Sequence, residues 1–187
     1  MKKLFIKLVS VTLVLVLTLT FFSSCTIFGN NNVEIEGLSW QEKWDVLVTE
    51  KGTKAICIRE AWVYSSIAYN DKMVDNSKNA EFIDLFAGLN FSNSEEDYMI
   101  GINHEYEVCL SLYEGSADEN GNMKKAEYDI LATKGIKAYV DKEGYVRIGV
   151  NVNGLQADEW HKSSAPIDME KFIGYYNQSA EIKIVAD

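Results

Sequence analysis

Apolar residues change their spacing several times along this chain, and each change predicts a different element. Leu8 to Phe22 is an uncharged run of 15 residues. Around residue 40 two patterns compete. Ser39-Trp40-Gln41-Glu42 matches a capping box and predicts one helical turn. Trp44, Val46 and Val48 then alternate, Glu50-Lys51-Gly52 suits a three-residue loop, and Lys54 to Tyr64 is strand-like. The alternation favours a hairpin from about Trp44 to Tyr64. From Ser77 to Asn90 the period becomes helical, with Phe82, Leu85, Phe86 and Leu89 on one side, Ser77 as cap and Asn90 as the left-handed terminus. Asn93 to Asp97 reads as a polar loop.

Between Tyr98 and Asn153 the period falls to two, the mark of an antiparallel sheet. Tyr106, Val108, Leu110 and Leu112 alternate with Glu105, Glu107, Cys109 and Ser111, which predicts one buried and one wet face. Tyr128, Ile130 and Ala132 suggest a less regular strand. Ile136 to Asp141 pairs through Lys142-Glu143-Gly144 with Tyr145 to Asn153, where Val146, Ile148, Val150 and Val152 point inward. Asp168 caps a second helix at about 168–177, with Ile167 and Phe172 placed as a hydrophobic staple and Pro166 just outside. Ala180 to Ala186 closes the chain as a strand. The sum is α+β: a mainly antiparallel sheet with two helices, about 77–90 and 168–177, packed on one face.

The apolar run at the start changes the picture. Lys2, Lys3 and Lys7 precede it, and it is shorter than the roughly 20 residues a spanning helix needs. A charged n-region followed by such an h-region is the form of a secretory signal. Its end, Phe22-Ser23-Ser24-Cys25, resembles the lipobox of bacterial lipoproteins, with Phe22 where an aliphatic residue is usual. The resemblance implies cleavage after Ser24 and a diacylglyceryl group on Cys25, with further acylation such as palmitate on the new amino terminus. Residues 1–24 are then the signal peptide, 25–37 a lipid-anchored tether around Gly29 to Asn32, and 38–187 one extracytoplasmic domain. The implied location is the cell membrane, on its extracytoplasmic face, within a bacterial cell envelope. Two or three acyl chains make such anchoring stable.

Charge and cysteines follow from that division. The leader holds three of the 18 basic residues and none of the 28 acidic ones, so the remaining 163 residues carry a formal charge of −13. Such a surface lacks the basic stripe a nucleic-acid partner requires. With Cys25 lipidated, Cys57 and Cys109 are left in an oxidising compartment, both out of phase with the apolar residues of their strands. They form a disulfide if those strands are neighbours, and remain two small thiols if they are not.

Candidate chemistry is sparse. Asn103-His104-Glu105 and Glu159-Trp160-His161 set acids beside imidazoles, but adjacent strand residues point to opposite faces, and both histidines read as surface groups. Zinc-ligand spacing is missing. Cys109 lies five residues from His104, yet Glu105, Glu107 and Glu114 make its surroundings electronegative, the wrong setting for a thiolate. A weak calcium candidate is Ser116, Asp118, Asn120 and Glu127, which fall on ligand positions of an EF-hand loop, with Ser116 where aspartate is expected and Lys124 on a coordinating position. No cofactor is expected. Tyr113, Tyr139, Tyr145 and Trp160 fall off the inward sets and are available to stack on a sugar or a protein partner.

These observations predict a non-enzymatic, lipid-anchored domain that binds a protein or small ligand, or serves as an accessory subunit. One alternative is an envelope hydrolase or glycan-modifying enzyme using Glu95, Glu96, Asp97, Asp158 and Glu159. Another is a structural spacer lipoprotein. Cys25→Ser is expected to abolish labelled-palmitate incorporation and to release the chain from the membrane fraction; unchanged labelling and fractionation would remove the anchor.

Overall fold

The computed structural model describes residue 35, residues 37–61 and residues 70–186. The leader, Cys25 and most of the tether lie outside the described residues, as does Tyr64. Ile35–Asp187 makes up one compact unit.

Nine strands among the described residues form one sheet: β1 Ala55–Glu60, β2 Asn70–Met73, β3 Phe91–Ser94, β4 Tyr106–Ser111, β5 Asn122–Lys124, β6 Gly135–Val140, β7 Val146–Val150, β8 Glu159–Ser163 and β9 Ala180–Val185. Their order is β3-β8-β7-β6-β4-β1-β2-β9-β5, and every pairing is antiparallel except β5 with β9. Among the described residues four α-helices accompany it: α1 Trp40–Trp44, α2 Asn79–Ile83, α3 Lys125–Thr133 and α4 Met169–Gln178. The expected two-helix α+β arrangement is therefore overturned. The fold is dominated by a mixed sheet, and its helices lie on both faces.

On the first face Ile56, Ile58, Val108, Leu110, Val146 and Ile148 meet Trp44, Leu47, Phe82, Phe86 and Phe172. A side chain buried as fully as Phe172 stabilises the fold by about 1.5–3 kcal/mol. On the second face Ala55, Cys57, Met73, Cys109 and Ile182 pack under Leu131 and Tyr128 of α3. Further along that face Tyr139 and Trp160 pack under Tyr98 and Ile100. Glu107, Cys109 and Ser111, expected on a wet face, are accordingly buried.

The local differences have identifiable causes. Residues 40–49 are helical, not the first arm of a hairpin. The capping box forms in full, Glu42 N–H donating to Ser39 Oγ at 3.3 Å and Ser39 N–H to Glu42 Oε2 at 2.8 Å. A π-helical turn, Asp45–Thr49, then carries Leu47 and Val48 into the core. The predicted hairpin loop is the helix exit: Lys51 takes φ 54°, and Gly52 N–H donates to the Val46 carbonyl at 2.9 Å. A Cβ on Gly52 would lie 2.6 Å from that same carbonyl oxygen.

The helix expected over 77–90 is shorter. A 3-10 turn, Asn76–Lys78, leads into α2, and Asp75 rather than Ser77 supplies the cap. Bonds three residues apart, such as Phe86 N–H to Ile83 O, carry the chain to Gly88, which takes the left-handed conformation expected of Asn90. Residues 91–94, half of them expected as loop, form β3, the terminal strand among the described residues.

Tyr128 and Ile130 sit in helix α3 rather than a strand. The buried positions are Leu131 and, partly, Tyr128, at helical spacing, while Ile130 is exposed. The β6–β7 hairpin turns through Lys142–Gly144 as expected, but its inward run stops early. Val146 and Ile148 are buried, Val150 is half-buried, and Val152 is exposed beyond the strand end, where Asn151 has φ 50°. Asp168 caps α4, accepting from Lys171 N–H at 3.1 Å.

Candidate functional site

The second face carries a polar row that crosses most of the sheet. Register pairs Ser92 with Lys162, Lys162 with Arg147, Arg147 with Tyr139, Tyr139 with Glu107, and Glu107 with Arg59. Arg59 then grips Asp71 of β2 through two bonds, Nε to Oδ1 at 2.7 Å and a terminal nitrogen to Oδ2 at 2.8 Å. The same terminal nitrogen donates to Tyr128 Oη at 2.6 Å, tying α3 to the sheet. Lys137 reaches Glu107 at 2.9 Å. Burial opposes the charge on Arg59, but Asp71 more than offsets it and holds the guanidinium protonated; burial drives the Tyr128 hydroxyl away from ionising.

Towards the other end of the row, Arg147 is buried between two carboxylates. It donates to Asp141 Oδ2 at 2.7 Å and to Glu96 Oε2 at 2.6 Å, and lies 4.7 Å from the centre of the Tyr98 ring. Glu96 also accepts from Lys162 Nζ at 2.9 Å. Bonds from Lys162 and Arg147 hold the Glu96 carboxyl below the usual range. Glu96 thereby pins the segment 95–105 over the second face. That segment folds on itself through Met99 N–H to Asn103 Oδ1 at 2.7 Å, and joins the 151–158 loop through Ile100 N–H to Leu155 O at 3.1 Å.

Both histidines are buried rather than on the surface. His104, 4% exposed, accepts from Gly101 N–H through Nδ1 at 3.1 Å and meets Tyr139 edge-on at 5.1 Å. With Nδ1 accepting, the ring is neutral with its proton on Nε2. Burial pushes its pKa down to about 4. His161 stacks on Trp40 at 4.4 Å on the first face. Neither is joined to a cysteine as a nucleophile and base would be. Cys57 and Cys109 face each other across β1 and β4, buried and unbridged, and burial raises both thiol pKa values, that of Cys109 to about 12. Thiols so placed are poor nucleophiles.

The calcium candidate is arranged as a turn. Asp118 Oδ1 accepts from Asn120 N–H and Asn122 N–H, each at 2.8 Å, and Oδ2 from Asn122 Nδ2 at 3.1 Å. Glu127 belongs to the first turn of α3. Among the described residues, no group of three His, Cys, Asp or Glu side chains is placed to hold a metal ion. Of the aromatics expected to stack on a ligand, Tyr139 and Trp160 are in the core of the second face, and Tyr145 lies under the Lys162 ammonium at 4.7 Å.

What the structure does bring together is the set of carboxylates. Glu95, Glu96 and Asp97 from one loop, Asp158 from another and Glu159 at the start of β8 line a single groove of about 370 Å³, with Tyr98 and Trp160 beside them. The groove opens next to β3, the terminal strand among the described residues, and a second hollow runs along Ser92, Asn93 and Ser94. Ser164 N–H donates to Asn90 O at 2.8 Å, so the alternation of the ladder turns the backbone groups of Phe91 and Asn93 outward. The convergence of 95–97 with 158–159 follows from the β3–β8 pairing, which no period in the sequence announces. No family model matches the chain, and neither curated proteins nor solved structures show a significant similarity to it.

The unfolded chain takes up the His104 proton near pH 6.5 and the folded chain near pH 4. Acidification across that window therefore favours the unfolded state, and the stability present above it is lost as pH falls through it. His104→Gln is expected to flatten that part of the stability profile. A His104 imidazole resonance, assigned by its loss in His104→Gln, that titrates near pH 6.5 in the folded protein would contradict the buried placement.

Proposed function

We propose that this chain is a lipid-anchored extracytoplasmic binding or accessory domain that holds an extended, basic segment of a protein partner against β3. The observation that carries this is the groove in which the acids of residues 95–97 and 158–159 converge beside a strand edge. Unpaired N–H and C=O groups along an edge are a template for an added strand. Carboxylates beside them select lysine and arginine over acidic side chains. Two exposed apolar tips, Ile102 and Leu155, sit on the same pair of joined loops and add contact area.

The groups best suited to catalysis support this reading by where they lie. His104, Cys57 and Cys109 are buried, and Arg59 and Arg147 are each held by carboxylates. A glycan-hydrolysing pair of carboxyls needs one with a raised pKa. Glu96 is shifted in the opposite direction.

A short alternating Lys-Thr peptide, titrated by calorimetry into the full-length protein in detergent, is expected to bind and to weaken as salt screens the groove. Neutralising Glu95, Asp97 and Asp158 together as Gln, Asn and Asn is expected to lower affinity by roughly tenfold or more, about 1.4 kcal/mol for each factor of ten. Asn93→Pro removes one outward N–H at a position where an edge tolerates proline. It is expected to weaken binding without changing the unfolding midpoint. Equal affinity for wild type and both variants would overturn the proposal.

A further inference from the structure

Cys57 on β1 and Cys109 on β4 are direct register partners at the centre of the sheet. Both side chains project to the second face, where Ala55, Met73, Met123 and Leu131 enclose them. Four positions along the same ladder, Ala61 N–H donates to Glu105 O at 2.8 Å. The alternation of hydrogen-bonded and non-bonded pairs then makes Cys57 and Cys109 a hydrogen-bonded pair, with Cα atoms about 5.5 Å apart. That separation lies within the roughly 4.4–6.8 Å that disulfides span. In the structure the two thiols are unbridged, and Cys109 Sγ–H donates to the Leu131 carbonyl at 3.3 Å.

We infer that Cys57 and Cys109 are a disulfide site, bridged across β1 and β4 as the exported chain folds and then sealed beneath α3. The inference rests on the extracytoplasmic placement in the proposed function, because that placement supplies the oxidant. The chemistry is thiol–disulfide exchange with a disulfide-bearing oxidant, either a protein catalyst with an active-site disulfide or glutathione disulfide. One cysteine, as thiolate, attacks the oxidant's sulfur and displaces one thiolate from it. The second cysteine then attacks the mixed disulfide and displaces the other. One S–S bond forms in the protein and one breaks in the oxidant. Two electrons and, overall, two protons pass from the protein thiols to the oxidant, which leaves as two thiols.

Order matters here. Burial suppresses thiolate formation at both cysteines once α3 has docked. Exchange therefore belongs to the stage when β1 and β4 have paired and residues 125–133 have not yet covered them. After closure the same cover keeps reductants out. A metal site is the competing use of two cysteines, but no third ligand of suitable type joins them among the described residues. A bridge here joins strands separated by the whole of 58–108 in sequence, which include two of the sheet's other strands and α2. It is expected to restrict the unfolded chain strongly for that reason.

The test is peptide mass mapping of the full-length protein, alkylated under denaturing conditions before and after reduction. The expected result is a linked pair of peptides containing Cys57 and Cys109 that becomes alkylatable only after reduction, in protein extracted from its own membranes. The folded protein is expected to keep the bridge in dithiothreitol until denaturant is added, and its unfolding midpoint to fall once reduced. A second sample, unfolded, reduced and refolded with glutathione disulfide, separates geometry from compartment. Free thiols in that sample, with the fold regained, would overturn the disulfide site. A bridge after refolding but free thiols in the membrane-derived protein would leave the site standing and overturn the extracytoplasmic placement.

Discussion

A sheet covered on both faces admits charge only in pairs, and that constraint organises this molecule. Arg59 with Asp71 and Tyr128, Lys137 with Glu107, and Arg147 with Asp141 and Glu96 lie along one row of the second face. Buried ion pairs contribute little net stability compared with well-packed apolar residues. Their effect here is on register. Shifting one strand by a single residue would turn Arg59, Glu107 or Arg147 into the apolar layer of the first face, against Phe82 and Phe172. The row also fastens what covers it, since Tyr128 carries α3 and Glu96 carries the 95–105 segment.

That arrangement separates buried groups from those the proposed function would use. Buried His104, Cys57, Cys109, Arg59 and Arg147 belong to the second face, while the acids at the β3–β8 end stay exposed around a groove. A rigid sheet presenting variable loops at one edge is a common way to build recognition. Five of the chain's 28 acidic residues line one groove at this edge.

Much of the frame was legible in the residues. The β6–β7 hairpin, strand β4, helix α4 with its Asp168 cap and the closing strand follow from period and capping alone. The misread segments were those where tertiary burial chose between two periods. Trp44, Val46, Leu47 and Val48 satisfy both a helix and a strand, and the capping box decided for the helix. Tyr128 and Ile130 alternate like a strand, but only Tyr128 and Leu131 have a core to enter. The wet face assigned to Glu107 and Cys109 was wrong for the same reason: a covering helix from residues 125–133 is invisible in the pattern of β4 itself. The site acids were each visible as candidates, while their convergence depends on β3 pairing with β8, whose partners, such as Ser92 and Lys162, are far apart in sequence.

The sealed second face is tested most directly by the unfolding free energy of Arg59→Met compared with Arg59→Met/Asp71→Leu. Removing the arginine alone leaves Asp71 buried without its cation and is expected to cost about 3–5 kcal/mol. Replacing both partners is expected to recover much of that loss. A single-variant loss below about 1 kcal/mol, the range of a surface pair, would show that Asp71 reaches water and that the second face is open.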